Sequence, residues 1–117
     1  MRSTGDYWEQ VAKKHLLEQN FTLIQAQYNC RLGEIDLIMH DKHTLVFCEV
    51  RFRASQHYGS ALDSITISKQ KRIILAARHF LMKNPEFAES NCRFDVIAIH
   101  GTKDEHQIEW VQDAFIS

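Results

Sequence analysis

The stretch that decides the fold is residues 33–52, which read GEIDLIMHDKHTLVFCEVRF. Two apolar segments, 33–40 and 44–52, flank the polar triplet Asp41-Lys42-His43, which is typical of a hairpin turn. The segment 44–52 is apolar at almost every position, as expected of a central strand that is covered on both faces. The stretch therefore predicts two adjoining strands in the middle of a sheet.

The pattern of apolar and turn-forming residues predicts the rest of the fold. In chain order, the predicted elements are a helix at 6–19, strands at 21–31, 33–40 and 44–52, an irregular segment at 53–65, a helix at 67–83, and strands at 92–99 and 107–112. Thr4 or Asp6 is expected to cap the first helix, and Ser64 or Thr66 the second. The order α-β-β-β-α-β-β predicts a single α/β domain over residues 1–117, with a mixed sheet flanked by helices.

The composition excludes several classes of protein. Among the 117 residues, 44% are hydrophobic and 25% are charged, with four Gly and one Pro, which excludes collagen-like and low-complexity chains. The apolar runs are only a few residues long, so neither a membrane span nor a secretory signal is expected. Three widely spaced cysteines form neither a disulfide framework nor a zinc motif, which predicts a reducing, cytoplasmic location.

Charge is unevenly distributed along the chain. The net charge of −1 argues against a protein that coats nucleic acid, but residues 42–83 carry a net +6, whereas 1–41 carry −2 and 84–117 carry −5. The basic middle third predicts a local surface for an anionic ligand. The alternative is a solvated helix face, the reading that charge alone favours.

Two carboxylates lie within apolar strand sequence. Asp36 interrupts Ile-Asp-Leu-Ile, and Glu49 follows Val-Phe-Cys; both are costly to bury unless they are paired, protonated or bound to a cation. In a hairpin about 41–43 they lie nearly opposite and repel each other. A divalent cation bound between the two carboxylates would remove the repulsion. Two carboxylates, with water and substrate phosphate as further oxygen ligands, are typical of a magnesium site. Arg51 could neutralise the charge of the bound phosphate. The alternative is an ion pair of Arg51 with Asp36 or Glu34, without catalysis.

Lys69 lies at the start of the second predicted helix. It shares a helical stripe with Ile73, Ala76 and Phe80, so its ammonium should point toward the sheet. One interpretation is a phosphate contact beside the metal. The other is a lysine whose stem covers the edge of the core while its charged end stays in water.

These residues carry a resemblance to known families. Asp36, followed after 12 residues by Glu49-x-Arg51, is similar to the PD-(D/E)xK signature of restriction-endonuclease-like and Holliday-junction-resolvase-like nucleases. Over nearly its full length the chain resembles the YraN-type family of bacterial proteins. The matching pieces are Trp8-Glu9-x-x-Ala12, Gly33–Ile38, Val46–Arg53, Gly59, Lys69 with Ala76-Ala77, Arg93–Val96, and Trp110-x-x-x-Ala114-Phe115.

The resemblance implies a restriction-endonuclease-like fold and a metal-dependent endonuclease that hydrolyses phosphodiester bonds in DNA, including branched or recombination intermediates. Asp36, Glu49 and the backbone carbonyl of Val50 would bind Mg²⁺ or Mn²⁺, Arg51 would occupy the lysine position, and Glu9 would contribute directly or through water. In that mechanism the metal polarises the scissile phosphate and lowers the pKa of the attacking water. Because nucleases of this type often cut two strands, the resemblance also makes a homodimer an expectation.

Further basic residues are expected to contact the DNA backbone without reading its sequence. They are Arg53 after the third predicted strand, and Lys71, Arg72 and Arg78 on the second predicted helix. Because the Arg51 guanidinium cannot act as a base, the alternative function is a catalytically impaired nucleic-acid-binding module on the same fold. A third alternative is an interaction protein in which Glu34, Asp36, Glu49 and Arg51 form only an ion-pair network.

Overall fold

A computed structural model describes residues 4–53 and 65–116. Its elements are α1 (Thr4–Glu18), β1 (Thr22–Cys30), β2 (Gly33–Asp41), β3 (Thr44–Arg53), α2 (Ile67–Lys83), a 3₁₀ turn (Pro85–Phe87), β4 (Asn91–Gly101) and β5 (His106–Phe115). The predicted order α-β-β-β-α-β-β and the α/β class are confirmed, and β4 and β5 extend beyond both predicted ends. Gly59 and Ser64, named in the sequence analysis, lie outside the described residues.

The five strands form one mixed sheet in the order β1-β2-β3-β4-β5. Neighbouring strands are antiparallel except β3 and β4, which are parallel and are joined by the crossover that contains α2. The predicted hairpin turn lies between β2 and β3, where Asp41 pairs with Thr44 and Lys42 adopts a φ of 57°. β3 is therefore a central strand, as its apolar sequence predicts.

The two helices cover opposite faces of the sheet. Under α1 the buried side chains are Trp8, Ala12, Leu16, Phe21, Leu37, Met39, Val46, Cys48, Ile97 and Ile99. Under α2 they are Tyr28, Ile35, Ile38, Leu45, Phe47, Ile73, Ala76, Ala77, Phe80 and Phe94. Burial of apolar surface on both faces is the main force that holds these layers together.

The first turn of α2 is held in place by two local features. Thr66 is the N-cap, and its hydroxyl accepts a hydrogen bond of 3.0 Å from the amide of Lys69. At the start of β2, a Cβ added to Gly33 would lie 2.5 Å from the carbonyl oxygen of Arg72. Only glycine therefore permits the backbone of α2 to approach β2 this closely.

Both edge strands contain irregularities. In β1 the register shifts between Leu23 and Gln25, and Gln27 has a φ of 55°. In β5 Asp113 has a φ of 53°, and its amide donates to the Asp95 carboxylate at 2.9 Å. Asp95 is fully buried and also accepts hydrogen bonds from the indole of Trp110 and from the guanidinium of Arg93.

Two expectations about the chain as a whole concern its cysteines and its membrane association. Cys30, Cys48 and Cys92 are all free thiols, as the absence of a disulfide framework predicts. In the part of the chain that the structure describes, neither helix is both long and apolar enough to span a bilayer.

Candidate active site

The candidate site begins where β2 and β3 separate. Their paired residues run from Asp41 and Thr44 to Leu37 and Cys48, whereas β3 stays paired with β4 as far as Arg53. One residue beyond the last pair, the Asp36 carboxylate accepts a hydrogen bond of 2.8 Å from the Val50 amide. The side chain of Asp36 thus binds a backbone donor that a continued ladder would have paired with backbone.

The side-chain pattern of β2 also changes at Asp36. Leu37 packs under α1, while Ile35, two positions away, packs under α2. Residues two apart in a regular strand lie on the same face, so the alternation breaks at Asp36. This local break lets Asp36 occupy the fork between the strands while its neighbours remain buried.

Asp36 and Glu49 meet in this fork, and their carboxyl groups are hydrogen-bonded to each other. Glu49 is 4% exposed, and burial, followed by the nearby Asp36 charge, raises its pKa from 4.5 to about 8. Burial also raises the pKa of Asp36, although the Val50 amide and the hydrogen bond with Glu49 act in the opposite direction. With the pKa of Glu49 at about 8, the pair retains a proton at neutral pH.

Two cations approach the same carboxylate oxygen from different elements. Arg51 Nη1 lies 3.5 Å from Glu49 Oε2, and Lys69 Nζ lies 3.8 Å from that atom. Lys69 Nζ also lies 3.9 Å from Glu34 Oε1. Arg51 thus pairs with Glu49 rather than with Asp36 or Glu34, and the ammonium of Lys69 points toward the sheet as its helical stripe predicts.

The donor chemistry of the site fits a hard divalent cation. Mg²⁺ and Mn²⁺ prefer carboxylate, carbonyl and water oxygens, and Asp36 and Glu49 already lie within hydrogen-bonding distance of each other. Over residues 4–53 and 65–116, no three His, Cys, Asp or Glu side chains form a metal-binding group. Further ligands would have to come from backbone, water or substrate, and the Val50 carbonyl as a ligand stays a prediction.

Glu9 reaches this region through a residue that the sequence analysis did not identify. The buried Glu9 side chain on α1 accepts a hydrogen bond from the Gln27 side chain. In β1, Ala26 pairs with Leu37 and Tyr28 with Ile35, so Gln27 lies opposite Asp36 in register. Glu9 therefore contacts the strand next to Asp36, and its direct or water-mediated role stays a prediction.

The predicted nucleic-acid contacts lie around α2 and at the end of β3. Lys71, Arg72 and Arg78 are exposed on α2, and Arg53 is half-buried in the last position of β3. Lys71 and Arg78 line a surface groove of about 440 Å³, together with apolar side chains that include Ile67, Leu75 and Ile116.

Sequence reasoning found the two carboxylates and both cations but missed how they are held. Glu34 was considered only as an ion-pair partner of Arg51, and Gly33 only as part of a family motif. Gly33 at the start of a strand could have indicated a close backbone contact. Because Glu34 is adjacent to Gly33, it could then have been expected to lie near the element that makes this contact. Gln27 offered no such signal, because nothing in the sequence separates it from Gln25.

Comparison with known proteins places the chain in a family. The profile described as "Uncharacterised protein family UPF0102" matches residues 8–99. A UPF0102 protein of Saccharophagus degradans is 50% identical over 112 residues, covering 96% of this chain and 92% of the relative. UPF0102 proteins of Nitrosococcus oceani and Nitrosomonas europaea are 46% and 47% identical, covering 97% and 95% of this chain and 92% of each relative. The chain therefore belongs to the UPF0102 family, the YraN-type family that its sequence resembles.

Proposed function

We propose that this protein is a metal-dependent endonuclease that hydrolyses phosphodiester bonds in DNA. The observation that carries the proposal is the contact between Asp36 and Glu49, flanked by Arg51 and Lys69. Two carboxyl groups forced together in a largely buried fork are an expensive arrangement for a purely structural role. Their raised pKa values and the adjoining cations are typical of a site that binds a metal ion and a phosphate.

The residues divide the chemistry among themselves. Asp36, Glu49 and the Val50 carbonyl would hold Mg²⁺ or Mn²⁺, which when bound supplies a Lewis acid for the phosphate and lowers the pKa of the attacking water. The Val50 amide fixes the orientation of Asp36. Arg51, which stays cationic, can bind two phosphate oxygens at once but cannot accept a proton. Lys69 provides a second positive charge beside Glu49.

The surface around the site supports DNA as the substrate. The exposed cations Lys71, Arg72 and Arg78 on α2, with Arg53 at the end of β3, belong to the segment of net charge +6. Such side chains contact phosphates without reading base sequence. We propose branched DNA and recombination intermediates as the substrate class. The homodimer, the cytoplasmic location and the single domain over 1–117 stay predictions.

A cleavage assay tests the proposal. The purified chain is incubated with labelled duplex, flap and four-way-junction DNA in several millimolar Mn²⁺, and Mn²⁺ binding is measured in parallel by calorimetry. We expect cleavage of at least one substrate, with both cleavage and Mn²⁺ binding lost in Asp36→Asn and in Glu49→Gln. Glu89→Gln makes the same chemical change at an exposed position and should retain both. If the wild type cleaves none of these substrates, the proposal is rejected.

The second candidate is a nucleic-acid-binding module without hydrolysis, which Arg51 in the lysine position favours. It predicts DNA binding that weakens steeply with salt, that Lys71→Glu or Arg72→Glu reduces, and that does not respond to Mn²⁺. A pure ion-pair network, the third alternative, predicts neither DNA binding nor a rise in melting temperature with Mn²⁺.

A further inference from the structure

We propose that Lys69 supplies the mobile ammonium group of this active site, and that Glu34 is the residue that positions it. The inference rests on the proposed nuclease function and deepens it. It assigns the lysine chemistry of the site to a helix residue, and it assigns a positioning role to a carboxylate that the metal does not use.

Two cations of the site lie close to Glu49. Lys69 Nζ and Arg51 Nη1 lie 3.8 Å and 3.5 Å from the same Glu49 oxygen. The Lys69 side chain is 23% exposed and that of Arg51 is 41% exposed, so the ammonium is the more enclosed of the two. A substrate phosphate bound beside Glu49 would meet both charges.

The Arg51 guanidinium and the Lys69 ammonium differ in their chemistry. A guanidinium is a rigid, permanently charged fork that suits two oxygens of one phosphate, whereas an ammonium has three rotatable donors. The ammonium can therefore contact a phosphate oxygen and the attacking water at once. Arg51 is suited to holding the phosphate, and Lys69 is suited to orienting the water.

Both the backbone and the ammonium of Lys69 have contacts that limit their position. Its backbone is fixed by the Thr66 cap, and α2 lies against β2 so closely that a side chain at Gly33 would overlap Arg72. Its ammonium nitrogen also lies 3.9 Å from Glu34 Oε1. Lys69 thus forms ion pairs with both Glu34 and Glu49. The adjacent residues Gly33 and Glu34 supply the close backbone contact with α2 and the ion pair with Lys69.

The Lys69–Glu34 ion pair lies in a partly exposed position. The Glu34 side chain is 52% exposed, and ion pairs at such exposure contribute little to folding free energy. We therefore expect the Lys69–Glu34 contact to affect the position of the ammonium more than the stability of the fold. Displacement of a catalytic group by about 1 Å can lower a rate about 100-fold.

The test compares steady-state kinetics of four variants on the best DNA substrate in Mn²⁺. We expect Lys69→Met and Lys69→Arg each to lower kcat at least tenfold, since a second guanidinium does not replace the ammonium. Glu34→Gln should lower kcat about tenfold, with KM and the Mn²⁺ dissociation constant within twofold of wild type and the melting temperature unchanged. Glu34→Asp, which keeps the charge, should recover part of the lost kcat, and Glu89→Gln is the matched control.

The outcomes separate this inference from the proposed function. A wild type that cleaves no DNA overturns both. A wild type that cleaves while Glu34→Gln or Lys69→Arg keeps the wild-type kcat overturns this inference alone. A parallel fall in kcat and melting temperature in Glu34→Gln, with no recovery in Glu34→Asp, also overturns it, because that pattern is the mark of a structural role.

Discussion

Raising the pH should destabilise the wild-type protein through Glu49, and Glu49→Gln should remove this effect. The pKa of Glu49 is raised in the folded state from 4.5 to about 8 because the side chain is buried beside Asp36. Between those values the unfolded state releases the proton and the folded state retains it. The free energy of unfolding therefore falls as the pH rises from about 4.5 to about 8, and it levels off above that.

The size of the effect follows from the linkage between protons and folding. Each pH unit in this window costs about 1.4 kcal/mol of stability, so the change between pH 5.5 and 7.5 is about 3 kcal/mol. Glutamine has nearly the same shape, carries no charge and can still donate to Asp36. Glu49→Gln should therefore gain about 3 kcal/mol relative to wild type over the same two units.

Urea denaturation followed by tryptophan fluorescence at the two pH values measures this difference. Because groups away from the Asp36–Glu49 pair have the same surroundings in both proteins, subtracting the two curves isolates the titration of the pair. Glu89→Gln, at an exposed position, should show no pH-dependent difference from wild type. Identical pH dependence in wild type and Glu49→Gln would refute the argument that the two carboxyl groups share a buried proton.

Four further predictions test other parts of the structure. Asp36→Asn should weaken Mn²⁺ binding at least 100-fold by calorimetry, because it removes one of two charged ligands. Gly33→Ala should lower the free energy of unfolding by about 1–3 kcal/mol in urea titrations, since its Cβ would lie 2.5 Å from the Arg72 carbonyl. Thr66→Ala should lower it by about 1 kcal/mol through loss of the α2 cap. Lys71→Glu should weaken DNA binding in fluorescence anisotropy and reduce its salt dependence, while Mn²⁺ affinity stays unchanged.

The sequence predicted the parts of the fold and site that depend on local pattern. The apolar run of 44–52 predicts a central strand, and the polar triplet 41–43 predicts the turn that places Asp36 and Glu49 one position beyond the last paired residues, Leu37 and Cys48. From those two features alone, the meeting of the carboxylates follows. The stripe shared by Lys69 and Phe80 likewise predicts that the ammonium faces the sheet.

The remaining features depend on contacts between elements that no local pattern encodes. The hydrogen bond from the Val50 amide to Asp36 exists because the β2–β3 ladder stops one residue earlier, and sequence does not mark where a ladder stops. The contact of Glu9 with Gln27 depends on how α1 is positioned against β1, where Gln27 has a positive φ. The Lys69–Glu34 contact depends on how closely α2 packs against β2. That close packing is possible because Gly33 has no Cβ atom.

The irregular edge strands have a consequence for how copies of this protein can associate. A regular outer strand offers unpaired amides and carbonyls to any other extended chain, which invites open-ended polymerisation. Here the left-handed residues Gln27 and Asp113 interrupt both outer strands, and the amide of Asp113 is already engaged by Asp95. Continuous sheet extension across two molecules is thereby disfavoured.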